Sequence, residues 1–289
     1  MKTILVLLFA IFSTILYAQE FQGKAYYFSK TGVDMNFGGR QLSPEMKKQI
    51  AERMKSMLEK TYVLTFNQSS SIYKEEEQLD TPGSGGGGRW RGMMSSFSST
   101  NYFKEIKEGN YYDQREFFGK NFLIKDSLPK LKWKMENETK KIGNYTCFKA
   151  TAMKKVDELD WRNMRRGRGN RNRNQAGAEV KNDSVTKEKG EIETPKEIEV
   201  VAWYSPEIPV SQGPGEYWGL PGLILEVQSG RTTLLCNKII MNSKEKEILE
   251  KPSKGKQVSQ QEFNNIAKQK MKEMREQWSG RNRGGRRGF

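Results

Sequence analysis

The 289-residue chain contains no histidine, two cysteines, 35 carboxylates and 50 lysines and arginines. Those counts bound the chemistry before any fold is considered. Without imidazole there is no Ser-His-Asp triad and no Cys-His dyad. Zinc sites built on imidazole ligands are excluded as well. A carboxylate pair remains, since glycoside hydrolysis needs only two acids. Glu75, Glu76, Glu77, Asp157, Glu158 and Asp160 sit in polar runs where solvated charge is the default. Glu116 and Glu226 fall on expected strands, yet no partner is visible for either. The site checklist therefore points away from an enzyme, and no cofactor or metal is expected.

The net charge of +15 would suggest a nucleic-acid partner if it were spread over the surface. It is not. Residues 161–178 hold six arginines and no acid, and residues 279–289 hold four arginines and no acid. Arg165, Arg166 and Arg168 in the first run, with Arg283, Arg286 and Arg287 in the second, are the candidate anion-binding residues. The tail GRNRGGRRGF resembles segments that bind single-stranded nucleic acid. Arginine forks also fit phosphates of any other origin, including phospholipid and lipopolysaccharide headgroups. The bland alternative is a solvated charge block.

The N-terminus chooses among those anions. In MKTILVLLFAIFSTILYAQE, Lys2 precedes an apolar run from Ile4 to Ile15, and Ala18 closes a small-residue cleavage pattern. This is the layout of a secretory signal peptide, too short to read as a spanning helix. Residues 1–18 are expected to be removed and the remainder exported to the periplasm or the outer-membrane periphery, where nucleic acid is an unlikely partner. Export also bears on the cysteines. Cys147 and Cys236 form a disulfide candidate, with two buried free thiols as the alternative.

The elements that must position these residues are mostly strands. FQGKAYYFSK, YVLTFNQ, SSIYKEEE, NYFKEIKE, YYDQREFF, NFLIKD, LKWKMENE and YTCFKATAMKK are short, alternating and rich in aromatic and β-branched residues. Gly109-Asn110 is expected to turn a hairpin between two of them. Residues 43–60 read as a helix with Ser43 as N-cap, Pro44 at the first position, and an apolar stripe of Met46, Ile50, Met54, Met57 and Leu58. A second helix is expected over 259–278, opened by a Ser259–Glu262 capping box. Flexible insertions are expected at 80–100 and 157–196, and a disordered Arg/Gly-rich tail at 279–289. The glycines at 83–88 lack the Gly-Lys-Ser/Thr sequel of a phosphate loop. The expected fold is mainly β (α+β), a curved antiparallel meander sheet in a single domain, 19–278, with one helix in the N-terminal half and one at the C-terminal end.

One stretch stands apart: GPGEYWGLPGLILEV, residues 213–227. Gly213, Pro214 and Gly215 allow a sharp turn, and Gly219 and Gly222 flank Leu220-Pro221. Tyr217, Trp218, Leu220, Leu223 and Ile224 supply the bulk. Two readings stand: a structural corner that plugs the end of a curved sheet, or an aromatic surface at Tyr217 and Trp218 for an apolar ligand or partner. The GLPGLI run resembles the signature of the GLPGLI family, exported proteins of Bacteroidetes-type bacteria. The likeness extends to AWYSPEIPVSQGPGEYWGLPGLILEV, WKMENETKKIGNYTCFKA and LCNKIIMNSKEKEI, and so covers most of the chain. The resemblance implies an envelope protein linked with TonB-dependent transport and supplies no catalytic residues. The function expected is thus a non-enzymatic binding or assembly module with an envelope protein or an apolar ligand as partner. An anionic-polymer or lipid binder acting through the arginines is the alternative, followed by a carboxylate-based hydrolase.

Overall fold

Alternation sets the strands. Along β1 (Gln22–Thr31) every second residue is buried, from Gly23 and Ala25 to Tyr27 and Ser29. That period of two is what a strand with one covered face must show. The computed structural model describes residues 21–32, 43–76, 101–156, 197–242 and 248–284. The leader, both expected insertions, and Arg165, Arg166, Arg168, Arg286 and Arg287 lie outside those residues.

After β1 comes helix α1 (Pro44–Leu58), which passes directly into β2 (Glu59–Asn67). The strands β3 (Ser70–Glu75), β4 (Asn101–Glu105), β5 (Asn110–Phe117) and β6 (Lys120–Ser127) follow. A second series holds β7 (Lys134–Ile142), β8 (Tyr145–Lys155), β9 (Glu197–Ser205), β10 (Leu223–Ser229) and β11 (Thr232–Met241). The short β12 (Lys256–Val258) leads into α2 (Gln260–Gly284). Among the described residues, 12 strands form one sheet in the order β12-β6-β5-β4-β3-β2-β1-β11-β10-β9-β8-β7. It consists of two antiparallel meanders joined where β1 pairs β11. The exception to the antiparallel rule is β12, which runs parallel to β6. The fold is mostly β, as the sequence predicts.

The turns carry the expected chemistry. Gly109, at φ 67°, closes the β4–β5 hairpin, and its N–H donates to Ile106 O at 3.2 Å. Ser43 Oγ accepts from Met46 N at 3.2 Å, and Pro44 opens α1. The expected apolar contact of that helix is not made at its first member, since Met46 is 49% exposed. At α2 the capping box is complete: Ser259 N donates to Glu262 Oε2 at 2.7 Å, and Glu262 N donates to Ser259 Oγ at 3.2 Å. Phe263 and Ala267 are fully buried, and Phe263 meets Phe117 and Phe122 edge-on at 5.5 and 5.6 Å. The helix does not stop at Trp278 as expected but continues through Arg283 to Gly284. Each residue added to a formed helix gains a hydrogen bond without a new nucleus, which carries it over Ser279, Gly280 and Asn282 despite their weak propensity.

The cysteines lie apart in the sheet order. Cys147 on β8 and Cys236 on β11 are both buried and both free thiols. They are not sheet neighbours, because β9 and β10 lie between their strands. Both belong to the same buried core cluster. Burial pushes the Cys147 thiol up to about 11 and the Cys236 thiol to about 12. Thiolate is the reactive form. Native protein held at pH 8 should therefore take up almost no alkylating agent. Two thiols should label in denaturant without reductant, as read by mass spectrometry; an unlabelled species two mass units lighter would indicate a bridge.

Candidate functional site

Residues 206–222, between β9 and β10, carry most of the signature stretch, whose last residues, 223–227, lie on β10. The segment first folds on itself. Leu223 N donates to Ile208 O at 2.9 Å, Ile224 N to Gln212 O at 3.0 Å, Tyr217 N to Pro214 O at 3.1 Å and Gly219 N to Ser211 O at 3.2 Å. Two glycines are required for different reasons. A Cβ on Gly222 would stand 2.2 Å from Ser205 O, so the backbone itself fills the space. Gly219 has open space around it but adopts φ 91°, a region that side chains disfavour.

The folded segment is then fastened to distant strands. Lys104 on β4 is fully buried, and its Nζ donates to Gly213 O at 2.6 Å and Tyr217 O at 3.0 Å. Four strands lie between β4 and β10 in the sheet order. Gly213 and Tyr217 themselves lie before β10. Lys104 on β4 and Lys154 on β8 nevertheless both reach Glu216-Tyr217 across six intervening strands, roughly 34 Å on a flat sheet, so the sheet must roll. Lys154 on β8 donates to the Glu216 carboxylate and stands 5.7 Å above the Tyr217 ring. Gln212, also fully buried, accepts from Ser71 Oγ at 2.8 Å and donates to Asn67 O at 3.3 Å. Tyr27 on β1 donates to Ile224 O at 2.6 Å. Two indoles clasp the outer end: Trp218 Nε1 donates to Pro129 O at 2.7 Å, and Trp133 Nε1 donates to Trp218 O at 2.8 Å.

Gly213, Pro214, Tyr217, Leu220, Gly222, Leu223 and Ile224 are buried, Trp218 is half-buried, and Gly219 and Pro221 are exposed. The expectation that Trp218 and Leu220 are at least partly buried is met. Beneath the segment lies an aromatic layer. Tyr73 stacks on Tyr62 at 4.8 Å and meets Tyr27 edge-on at 6.2 Å. Tyr102 stacks on Tyr111 at 5.2 Å, beside buried Asp113, which accepts from Arg115 Nε at 2.7 Å. Among the described residues the buried Tyr73 hydroxyl has no hydrogen-bond partner.

The ionisations follow from burial. Removing Lys104 from water pushes its pKa down to about 7, and the Glu216 carboxylate opposes that shift. Burial raises Tyr27, Tyr73 and Tyr102 well above the usual phenol value.

Sequence reasoning missed Lys104, Gln212 and Lys154. NYFKEIKE carries an aromatic residue on each face of the strand, so period two does not say which face is covered. Glu226, which had no visible partner, is 7% exposed and accepts from Lys140 Nζ at 2.6 Å. That lysine lies 4.2 Å over the Trp203 ring. Among the described residues no group of three or more Cys, Asp or Glu is gathered in a way that could hold a metal ion.

A family described as "Protein of unknown function (Porph_ging)" matches residues 133–226. The match runs from the Trp133 clasp through the whole fastened segment to Glu226. No curated protein matches the chain. Among solved structures, a crystal form of PNGF-II in space group C2 aligns with TM-score 0.45 and 11% identity, over 85% of this chain and 32% of that chain. A second form, in P21, aligns with TM-score 0.44 and 10% identity, over 85% and 33%. The chain thus spans about a third of the PNGF-II length.

Gly222→Ala should destabilise severely through the clash with Ser205, and Gly219→Ala by about 1 kcal/mol or more through backbone strain. Lys104→Met should cost roughly 2 kcal/mol or more, since two buried carbonyls lose their donor. Between about pH 7 and the ~10.4 of an unfolded lysine, the unfolded chain holds the proton that the native one has shed. Stability should therefore rise with pH across that window, by at most ~1.4 kcal/mol per unit. Above about pH 10, tyrosines ionise in the unfolded chain while the buried ones do not, and stability falls again. Denaturant melts at pH 7, 8 and 9 should show the rise in the parent and a flatter profile in Lys104→Met.

Proposed function

We propose that the protein is a non-enzymatic binding or assembly module of the cell envelope, of GLPGLI type, associated with the outer membrane or TonB-dependent transport. The observation that carries this reading is the commitment of the signature segment's polar groups. The carbonyls of Gly213, Tyr217 and Trp218 and the carboxylate of Glu216 all accept hydrogen bonds from the body of the protein. Groups spent on holding backbone are poorly placed to act on a substrate. The segment then serves as the rigid centre of a rolled sheet, and recognition falls to the outer surface. The exported location rests on the composition of residues 1–18.

The test is fractionation of cells producing the untagged chain, with N-terminal sequencing of the product. The expected result is a mature protein that begins at Gln19 and separates with the envelope. An intact Met1 product in the cytoplasm would overturn the reading. Trp218→Ala, placed at the outer clasp, should lower thermal stability by roughly 2–4 kcal/mol as a large-to-small change does. A variant of unchanged stability that loses an envelope partner in a native pull-down would move the recognition surface onto the signature segment itself.

A further inference from the structure

Helix α2 spans 25 residues, about 37 Å at 1.5 Å per residue. Its contact with the sheet is made along one side. Phe263 and Ala267 are buried, Ile266 and Met271 pack partly against the core, and Met274 follows on the same face at helical spacing. Lys268, Lys272, Arg275 and Arg283 fall at intervals of four, three and eight residues. Those intervals return to a single face of a 3.6-residue turn, opposite the seated apolar side. Lys268 and Lys272 are exposed. Within residues 268–284 six basic residues stand against two acids, Glu273 and Glu276. Lys270, off the stripe, donates to Glu273 at 2.6 Å.

We infer that this stripe docks the protein on an anionic membrane surface, with lipid phosphates as its ligands. The inference rests on the envelope reading above and names the surface it uses. Three observations select a lipid surface. The stripe runs about 22 Å along the helix over residues 268–283, which suits contact with an extended surface. The apolar side of the helix is already seated on the sheet, so the attachment is peripheral and electrostatic and needs no insertion. Ammonium and guanidinium groups are the donors that phosphate accepts. Each basic residue near an anionic leaflet contributes roughly a fivefold factor at moderate salt, and the effect fades beyond a Debye length.

The experiment uses the full mature chain and sedimentation with vesicles. Three compositions are compared: phosphatidylcholine alone, phosphatidylcholine with phosphatidylglycerol, and phosphatidylcholine with lipid A. Binding is expected to the two phosphate-rich surfaces and not to phosphatidylcholine, and to weaken steeply with added salt. Preference between the two anionic compositions identifies the source of the phosphate. The variant Lys268→Glu/Lys272→Glu/Arg275→Glu/Arg283→Glu should lose on the order of a hundredfold in affinity with its melting temperature kept. If it fails to fold, replacement of the same four residues by glutamine takes its place. The control Lys107→Glu/Lys120→Glu/Lys130→Glu/Lys254→Glu makes the same charge change at exposed lysines elsewhere. It should lose less than tenfold. Equal losses in both variants, or binding unchanged in the stripe variant, would overturn the inference. So would tighter binding to single-stranded DNA than to anionic vesicles at the same salt. A protein found in the cytoplasm that still binds vesicles through the stripe would instead overturn the envelope reading alone.

Discussion

The fold depends on a lysine tip placed where no backbone donor can reach. Gly213 and Tyr217 turn their carbonyls into the core on either side of Gly215, whose φ of 55° makes the turn. Two carbonyls left bare in that setting would each cost about 1–3 kcal/mol. Lys104 satisfies both with one nitrogen at the end of a flexible stem. It does so while its own charge is disfavoured by burial, which is why its pKa falls to about 7. A neutral amine still donates two hydrogen bonds. The lysine is thus tolerated in the interior as a donor rather than as a cation.

That contact forces cooperation between the two meanders. The bonds that hold the signature segment join residues 109, 113, 141 and 197 positions apart in the chain. None of them exists until β1 has paired with β11 and the sheet has rolled. Each meander alone would leave part of the polar set, Lys104, Gln212 or the Tyr27 hydroxyl, buried without its partner or exposed to water. Such long-range closure is entropically slow, and it rewards the chain only when both halves are present. Register shifts at Tyr26/Tyr27 and Ile224/Glu226 fall in the strands nearest this junction, where added twist helps the sheet to roll.

The paired lysines divide the work. Lys154 keeps a carboxylate partner at the rim and remains part-exposed, so it behaves as an ordinary ion pair that fixes Glu216. Lys104 has no carboxylate in contact and holds only peptide oxygens. Trp133 and Trp218 add the outer clasp, each indole N–H donating to a carbonyl in the other's loop or beside it. Strands β1, β2, β3, β4 and β8 and the loop carrying Pro129 and Trp133 therefore converge on residues 212–224. A corner rich in glycine can be rigid here because its neighbours supply the constraint that its own side chains lack.

The sequence by itself determined the local structure. Alternation in Gln22–Thr31, the turn at Gly109, the cap at Ser43 and the Ser259–Glu262 box are short-range features, and each was legible in the residues and borne out. So was the mainly β meander, since consecutive short strands pair most readily with their sequence neighbours. The tertiary structure decided what spans the chain. Period two shows that two faces alternate but not which one is covered, and in β4 both are, so nothing local marks Lys104 as buried. Glu226 looked unpaired because its partner, Lys140, lies 86 residues away. The residue types of the cysteines permit a bridge, whereas strand order, which no local pattern shows, puts them on β8 and β11 as buried free thiols. Local propensity acts over a few residues, while the pairing of distant groups depends on how the whole sheet is ordered and rolled, and no short stretch of sequence encodes that.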